Sequence, residues 1–356
     1  MSTHTCEVVP VVLEEHPNAD KLSIVHVWGY QVVVRTDEWI GRDRGVYVPP
    51  DSVCQNDKRF SFLYDDAMQS SKAPGRVRVR KFRKVISQGL LVPAPTGAKM
   101  GQDFMKKWNI EHYVSPVEKQ AEMTLTWWER LLDWVLVKIL KHKKLRRRRR
   151  HQPDWDQPTS GPNLYSSKYD VENFRRYNQA IGPDDRVYIT EKIHGCNARY
   201  VWHNGRMYCG SRTQWKKKHA ANTWWKALEQ NPWIEDWCRI HPNLILYGEV
   251  FGQVQDLKYD TEPGQLRFLA FDVLDSGKWL NWDTLNLLVP EDYRVPLLQV
   301  GRFDPALAAQ LAEEKSSIAS HCREGVVICT TEEKEVRGLG RCQLKIVSDR
   351  YLERGK

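Results

Sequence analysis

The chain has 356 residues, of which 41% are hydrophobic and 28% charged, enough apolar content for two sizeable cores. The formal net charge is +9, yet nine Lys and Arg without an acid lie between Lys138 and Arg150, and the remainder is formally neutral. That balance excludes a uniformly basic or intrinsically disordered chain. Eight Cys without a Cys-x-x-Cys pair, and no signal-peptide pattern, exclude a secreted disulfide scaffold or zinc knuckle and point to an intracellular compartment, cytoplasmic or nuclear. Nothing is long and apolar enough to span a membrane.

Residues 1–112 are dominated by alternating runs at 8–13, 24–28, 30–35, 45–48, 77–85 and 89–92, punctuated by Gly, Pro and Asp. Several short strands in about a hundred residues predict a small closed barrel, with an OB-fold the first choice. Arg76, Arg78, Arg80, Lys81, Arg83 and Lys84 crowd the fifth run. Cations alternating along one strand would line a face that tracks a phosphate backbone, or would protect a solvated edge.

Residues 113–165 form a connector. Apolar residues at Leu125, Trp128, Leu132, Val135, Leu136 and Ile139 have helical spacing, interrupted by charges. The helix is expected to dock on a domain. The arginines after it would contact phosphate nonspecifically, before a Pro-rich stretch at 152–162.

Residues 166–356 carry the chemistry. Lys192-Ile193-His194-Gly195-Cys196-Asn197 lies between two alternating runs, which places the lysine on a turn at the mouth of a sheet. Such an amine becomes a nucleophile when neighbouring cations or desolvation lower its pKa. Gly195 would admit a phosphate close to the backbone, while His194 and Asn197 can hydrogen-bond its oxygens. Further on, Arg212 of Gly210-Ser211-Arg212-Thr213 can grip phosphate in a bidentate way. The 224–237 segment reads as helical, with Trp on its core face. The apolar run ending Tyr247-Gly248-Glu249 offers a carboxylate for ribose hydroxyls, or simply an exposed strand-end acid.

Taken in order, these segments resemble the covalent nucleotidyltransferases, the superfamily of polynucleotide ligases and capping enzymes. Lys192-Ile193-His194-Gly195 resembles motif I in the histidine form seen in RNA ligases. Gly210-Ser211-Arg212-Thr213 resembles motif Ia, Tyr247-Gly248-Glu249 motif III, Phe271-Asp272 motif IIIa, Arg323-Glu324-Gly325 motif IV and Leu344-Lys345-Ile346 motif V. The 76–90 segment, ending Ser87-Gln88-Gly89-Leu90, is similar to the end of the N-terminal module of Deinococcus-type RNA ligases.

The resemblance implies an α+β chain. An OB-fold β-barrel (1–112), which would bind nucleic acid through Arg76, Arg78, Arg80 and Arg83, precedes the connector (113–165). A nucleotidyltransferase domain of ATP-grasp-like antiparallel sheets with helices follows (166–356). It implies ATP and Mg2+ or Mn2+ as cofactors, with Lys192, His194, Asp272 and Lys345 catalytic. Glu191, Asn197, Arg212, Glu249, Phe271, Glu324 and Lys345 would bind the nucleotide, with Phe271 stacking on adenine and Glu249 and Glu324 holding metal. Lys345 would hold the α-phosphate and depress the Lys192 pKa. Many ligases have a second lysine where this chain has Gln343. The implied activity is ATP-dependent sealing of RNA 3′-OH and 5′-phosphate ends in RNA or an RNA-containing nicked duplex, by a monomer. A GTP-dependent guanylyltransferase and a non-catalytic RNA-binding protein on a ligase scaffold are the alternatives.

Overall fold

The computed structural model describes residues 4–64, 74–113 and 154–354. The helix expected at 125–140 and the cationic run to Arg150 lie outside them. The chain divides into two compact units, one of Met1–Tyr113, Glu172–Asn178 and Asp349–Lys356, the other of Val114–Val171 and Gln179–Ser348.

In the first unit, strands β1 (Val8–Pro10), β4 (Arg44–Val48) and β7 (Leu90–Pro93) pair antiparallel about a central β4. Strands β2 (Leu22–Val27) and β3 (Tyr30–Arg35) form a hairpin. Its two-residue loop, Trp28-Gly29, takes the positive φ angles that such tight hairpins require. Alternation puts Val25, Val27, Val32 and Val34 in one core with Trp39 and Tyr47, while Val8, Val46, Val48 and Val92 pack with Phe60 and Trp108 in another. The Tyr47 hydroxyl is buried and donates to the Gln88 carbonyl at 2.7 Å.

The 77–85 run is not one strand. It folds into β5 (Arg80–Phe82) and β6 (Val85–Ser87), with Phe82 opposite Val85. Arg83 and Lys84 form the loop between them, at φ +44° and +75°. The continuous cationic face expected from alternation is therefore broken: Arg83 is exposed on a hairpin tip, whereas Arg78 and Arg80 are half-buried. Arg76, ahead of the hairpin, is 2.5 Å from Asp51 and lies over the Tyr113 ring at 3.7 Å.

The second unit is built on two large antiparallel sheets. The larger has the order β11 (Trp215–Lys216), β10 (Arg206–Ser211), β9 (Cys196–His203), β12 (Ile245–Gly252), β13 (Leu266–Asp275) and β14 (Lys278–Trp279). The second orders this unit's β17 (Gln343–Val347), β16 (Gly325–Thr330), β8 (Arg186–Lys192) and β15 (Leu297–Arg302). Even-numbered residues of β9 (Ala198, Tyr200) and Leu246, Val250 and Phe268 face a core shared with Trp224, Trp237 and Trp282 of the helices.

The helical stretch expected at 224–237 is two helices, α1 (Thr223–Gln230) and α2 (Trp233–Ile240). Pro232 divides them because its ring disfavours helical geometry at Asn231. The Asn222 side chain caps α1 by accepting the Trp224 and Trp225 N–H groups.

Candidate active site

Lys192 is the last residue of β8, and the turn Ile193-His194-Gly195 carries the chain from the smaller sheet to the larger. Two antiparallel registers bring distant acids to that crossing. Lys192 pairs with Gly325, so Glu324 lies beside the amine; Asn197 pairs with Glu249 across β9 and β12. Backbone approach is tight at both places. A Cβ on Gly195 would meet the Val250 carbonyl oxygen at 2.2 Å, and one on Gly325 the Ile346 carbonyl oxygen at 2.0 Å. Any larger residue would push these strands apart and spoil the register.

The Lys192 Nζ lies 2.7 Å from Glu324 Oε2, and His194 Nδ1 is 3.3 Å from the same oxygen. Burial would raise the Glu324 carboxyl, but Lys192 and His194 outweigh it and hold it at about 2. Burial pushes Glu249 up to about 8, with Glu324 adding repulsion and Lys192 offsetting part of it.

Burial works to lower the Lys192 amine, yet Glu324 and Glu249 overcome it and leave it raised. This corrects the expectation of a lysine depressed by Lys345. Two carboxylates surround the amine, so without further positive charge its resting form is the ammonium. His194 is likewise raised: burial opposes protonation, but bonding to Glu324 prevails.

The two carboxylates carry opposite stability signatures. Free glutamate ionises near 4.5, and folded Glu249 near 8. Between those values the fold keeps a proton that the unfolded chain has lost, so stability falls as pH rises through the window. Glu324, held at about 2, contributes stability present above 4.5 and lost as pH falls towards 2. Glu249→Gln is expected to flatten the decline in melting temperature between pH 5 and about 8. An unchanged slope would show that Glu249 is not the group responsible.

On β13 the register shifts between Tyr247↔Asp272 and Gly248↔Ala270, leaving Phe271 as an extra residue. The bulge reverses the alternation, so Phe271 and Asp272 both leave the helix-facing core and meet Tyr169. The rings of Phe271 and Tyr169 are 4.5 Å apart, and the Tyr169 hydroxyl donates to Asp272 Oδ2 at 2.9 Å. Asp272 is fully buried and also paired with Arg341. Burial raises its carboxyl and Arg341 opposes this.

The other expected residues occupy distinct places. Glu191 faces away from Lys192, as strand alternation requires, and accepts the Ser316 hydroxyl at 2.5 Å and the Ser317 N–H at 2.7 Å. Arg212 is 2.7 Å from Asp170. Lys345 is half-buried on β17, opposite Val327. Gln343 accepts from Arg341 at 3.1 Å and donates to the Asp170 carbonyl at 3.0 Å. Asn197 Oδ1 is buried with no partner in the protein.

Residues 185–347 match the model of the RNA ligase family, and residues 7–94 match an OB-fold domain. The RNA ligase match lies wholly within the second unit. A solved Naegleria gruberi RNA ligase with PPi is similar to the chain at 20% identity and TM-score 0.73, covering 99% of both chains. A variant of that ligase with ATP and Mn aligns at 19% identity and TM-score 0.73 over 99% of each chain. Another, with AMP and Mn, aligns at 19% and 0.71, over 99% of this chain and 98% of that one. These likenesses show the fold, an OB-fold domain followed by an α+β RNA ligase domain. No curated protein sequence matches the chain.

Sequence reasoning missed several groups at this site. Asp256 meets His194 Nε2 at 2.5 Å, and the Tyr259 hydroxyl accepts the His194 N–H at 2.6 Å. Tyr169 and Arg341 hold Asp272. Only Arg341 had a readable signal, a cation two residues before Gln343 and so on the same face of the chain as that position.

Among the described residues no group of three or more His, Cys, Asp or Glu is arranged to hold a metal alone. Glu249 and Glu324 still fit a hard divalent cation, which keeps most of its waters and needs one or two carboxylates beside substrate phosphate. A bound cation would take the place of the proton that burial and Glu324 keep on Glu249.

Proposed function

We propose that the chain is an ATP-dependent RNA ligase that seals 3′-hydroxyl and 5′-phosphate ends, with nicked duplex as substrate. The observation that carries this reading is the Lys192 amine at the crossing of two sheets, ringed by Glu324, Glu249 and His194. The reading is supported by the match of residues 185–347 to the RNA ligase family model and by the likeness to ligase structures holding ATP and Mn.

In the first step the neutral Lys192 amine attacks the α-phosphorus of ATP in line. An N–P bond forms, pyrophosphate leaves, and adenylate remains on the lysine. The ammonium must first give up its proton to solvent; Glu324, 2.7 Å away and held at about 2, orients the amine and is too weak a base to take it. A divalent cation on Glu249 and Glu324 would supply positive charge against the phosphate oxygens and favour the neutral amine. Phe271, whose ring lies against Tyr169, would stack on the base. The orphaned Asn197 Oδ1 fits a donor such as a ribose hydroxyl. Lys345 would meet the α-phosphate. The adenylate then passes to the 5′-phosphate, and attack by the 3′-hydroxyl expels AMP.

Eight cysteines, all free, suit an intracellular setting. No helix among the described residues is long and apolar enough to cross a membrane.

Incubation with labelled ATP or GTP and a divalent metal, followed by a nicked duplex with an RNA 3′-hydroxyl end, tests the reading. Label is expected on the protein from ATP alone, then on the 5′-phosphate end, and finally in released AMP as the nick closes. Label from GTP alone would make the chain a guanylyltransferase instead.

A further inference from the structure

Residues 193–195 are the least supported part of the site by strand pairing, because β8 ends at Lys192 and β9 begins at Cys196. Their support comes instead from the loop after β12, some sixty residues on, which grips three successive groups. The Tyr259 hydroxyl accepts the His194 N–H at 2.6 Å, and Asp256 Oδ1 meets His194 Nε2 at 2.5 Å. Gln255 Nε2 donates to the Gly195 carbonyl at 3.3 Å.

The loop is itself over-determined. Tyr259 and Asp260 both sit in the left-handed region, at φ +52° and +53°, which non-glycine residues keep only when their surroundings enforce it. Tyr259 is buried edge-on to His321 at 4.7 Å, and Asp260 accepts the Ser320 N–H at 2.7 Å and hydroxyl at 3.0 Å.

We propose that the loop from Gln255 to Asp260 is a clamp on the Lys192 turn, and that Asp256 is a positioning residue whose carboxylate aims the His194 ring at Glu324. An imidazole tied at one nitrogen presents the other in a fixed direction. Here the tie at Nε2 leaves Nδ1 3.3 Å from the Glu324 oxygen that also holds Lys192. Asp256 itself is 69% exposed, so it fills no core space, and its removal should leave the fold intact. This inference rests on the reading of Lys192 as the nucleotide acceptor.

The test is a double-mutant cycle on single-turnover adenylylation of the full chain at saturating ATP. Asp256→Ala is expected to slow the step about tenfold with an unchanged melting temperature, as when a side chain that orients a functional group is lost. Asp256→Asn, which can still accept from Nε2–H, should keep most of the rate. In a His194→Ala background Asp256→Ala should cost nothing further. Wild-type rates in Asp256→Ala, or an equal loss in both backgrounds, would overturn the proposal. Ring-nitrogen NMR of isotope-labelled His194 reads the clamp without any turnover: Asp256→Ala should shift both nitrogens. Unshifted resonances would refute the clamp even if adenylylation occurs, whereas shifted ones would uphold it even if the wild type takes no adenylate.

Discussion

Lys192→Ala is expected to lower adenylate transfer from ATP to the protein by roughly four orders of magnitude or more, as loss of a covalent nucleophile does. The same variant should still close a nick whose 5′ end already carries adenylate, because that step breaks a bond the lysine did not make. Separate assays of protein labelling and of sealing on a pre-adenylylated strand resolve the two. Equal loss in both would mean that removing the amine disorders the site rather than deleting a nucleophile. The structure gives a reason to watch for this, since Glu324 and Glu249 would then face each other without the ammonium between them. Lys192→Arg, retaining charge but not nucleophilicity, controls for it.

The second large effect is on stability. Asp272 is fully buried, and its charge is matched by Arg341, which also bonds Glu333. Arg341→Ala is expected to cost about 3–5 kcal/mol, the usual penalty for stranding one partner of a buried ion pair. For a domain of this size that lowers the melting temperature by roughly 10 °C. The double variant Arg341→Ala, Asp272→Asn should recover part of the loss, because a neutral amide is cheaper to bury than an unpaired carboxylate. A calorimetric scan of the three proteins is sufficient. No loss in Arg341→Ala would mean that Asp272 is protonated in the fold, in keeping with the upward push of burial on its carboxyl.

Much of the site could be read before the fold was seen, for a simple reason. Lys192 and Glu324 stand at or beside strand ends, Glu249 sits next to Gly248 inside β12, and antiparallel pairing brings these glycine-marked positions together. The OB-fold strands were legible on the same ground, with Val25 and Val27 alternating in one run and Val32 and Val34 in the next. What stayed hidden depends on three-dimensional neighbours. The bulge at Phe271 has no sequence signature in a largely apolar strand, yet it decides that Phe271 and Asp272 share a face. The 77–85 run begins with strict alternation, and only its cross-strand pairing shows that Arg83 and Lys84 are a turn. Asp256 and Tyr259 lie in a loop without periodicity, so nothing local marked them as partners of His194. The Lys192 amine was expected to be depressed by a cation, whereas two acids hold it protonated. Charge state was the least legible property because it sums over groups brought together only by folding.

The central claim is that one side chain takes a nucleotide onto itself. Intact-mass spectrometry after exposure to ATP and Mg2+ or Mn2+, followed by peptide mapping, measures this directly. The expected result is a gain of one adenylate per chain, carried by the peptide containing Lys192 and absent when the metal is chelated. An unmodified mass, or an adenylate mapped to any other residue, would contradict the account.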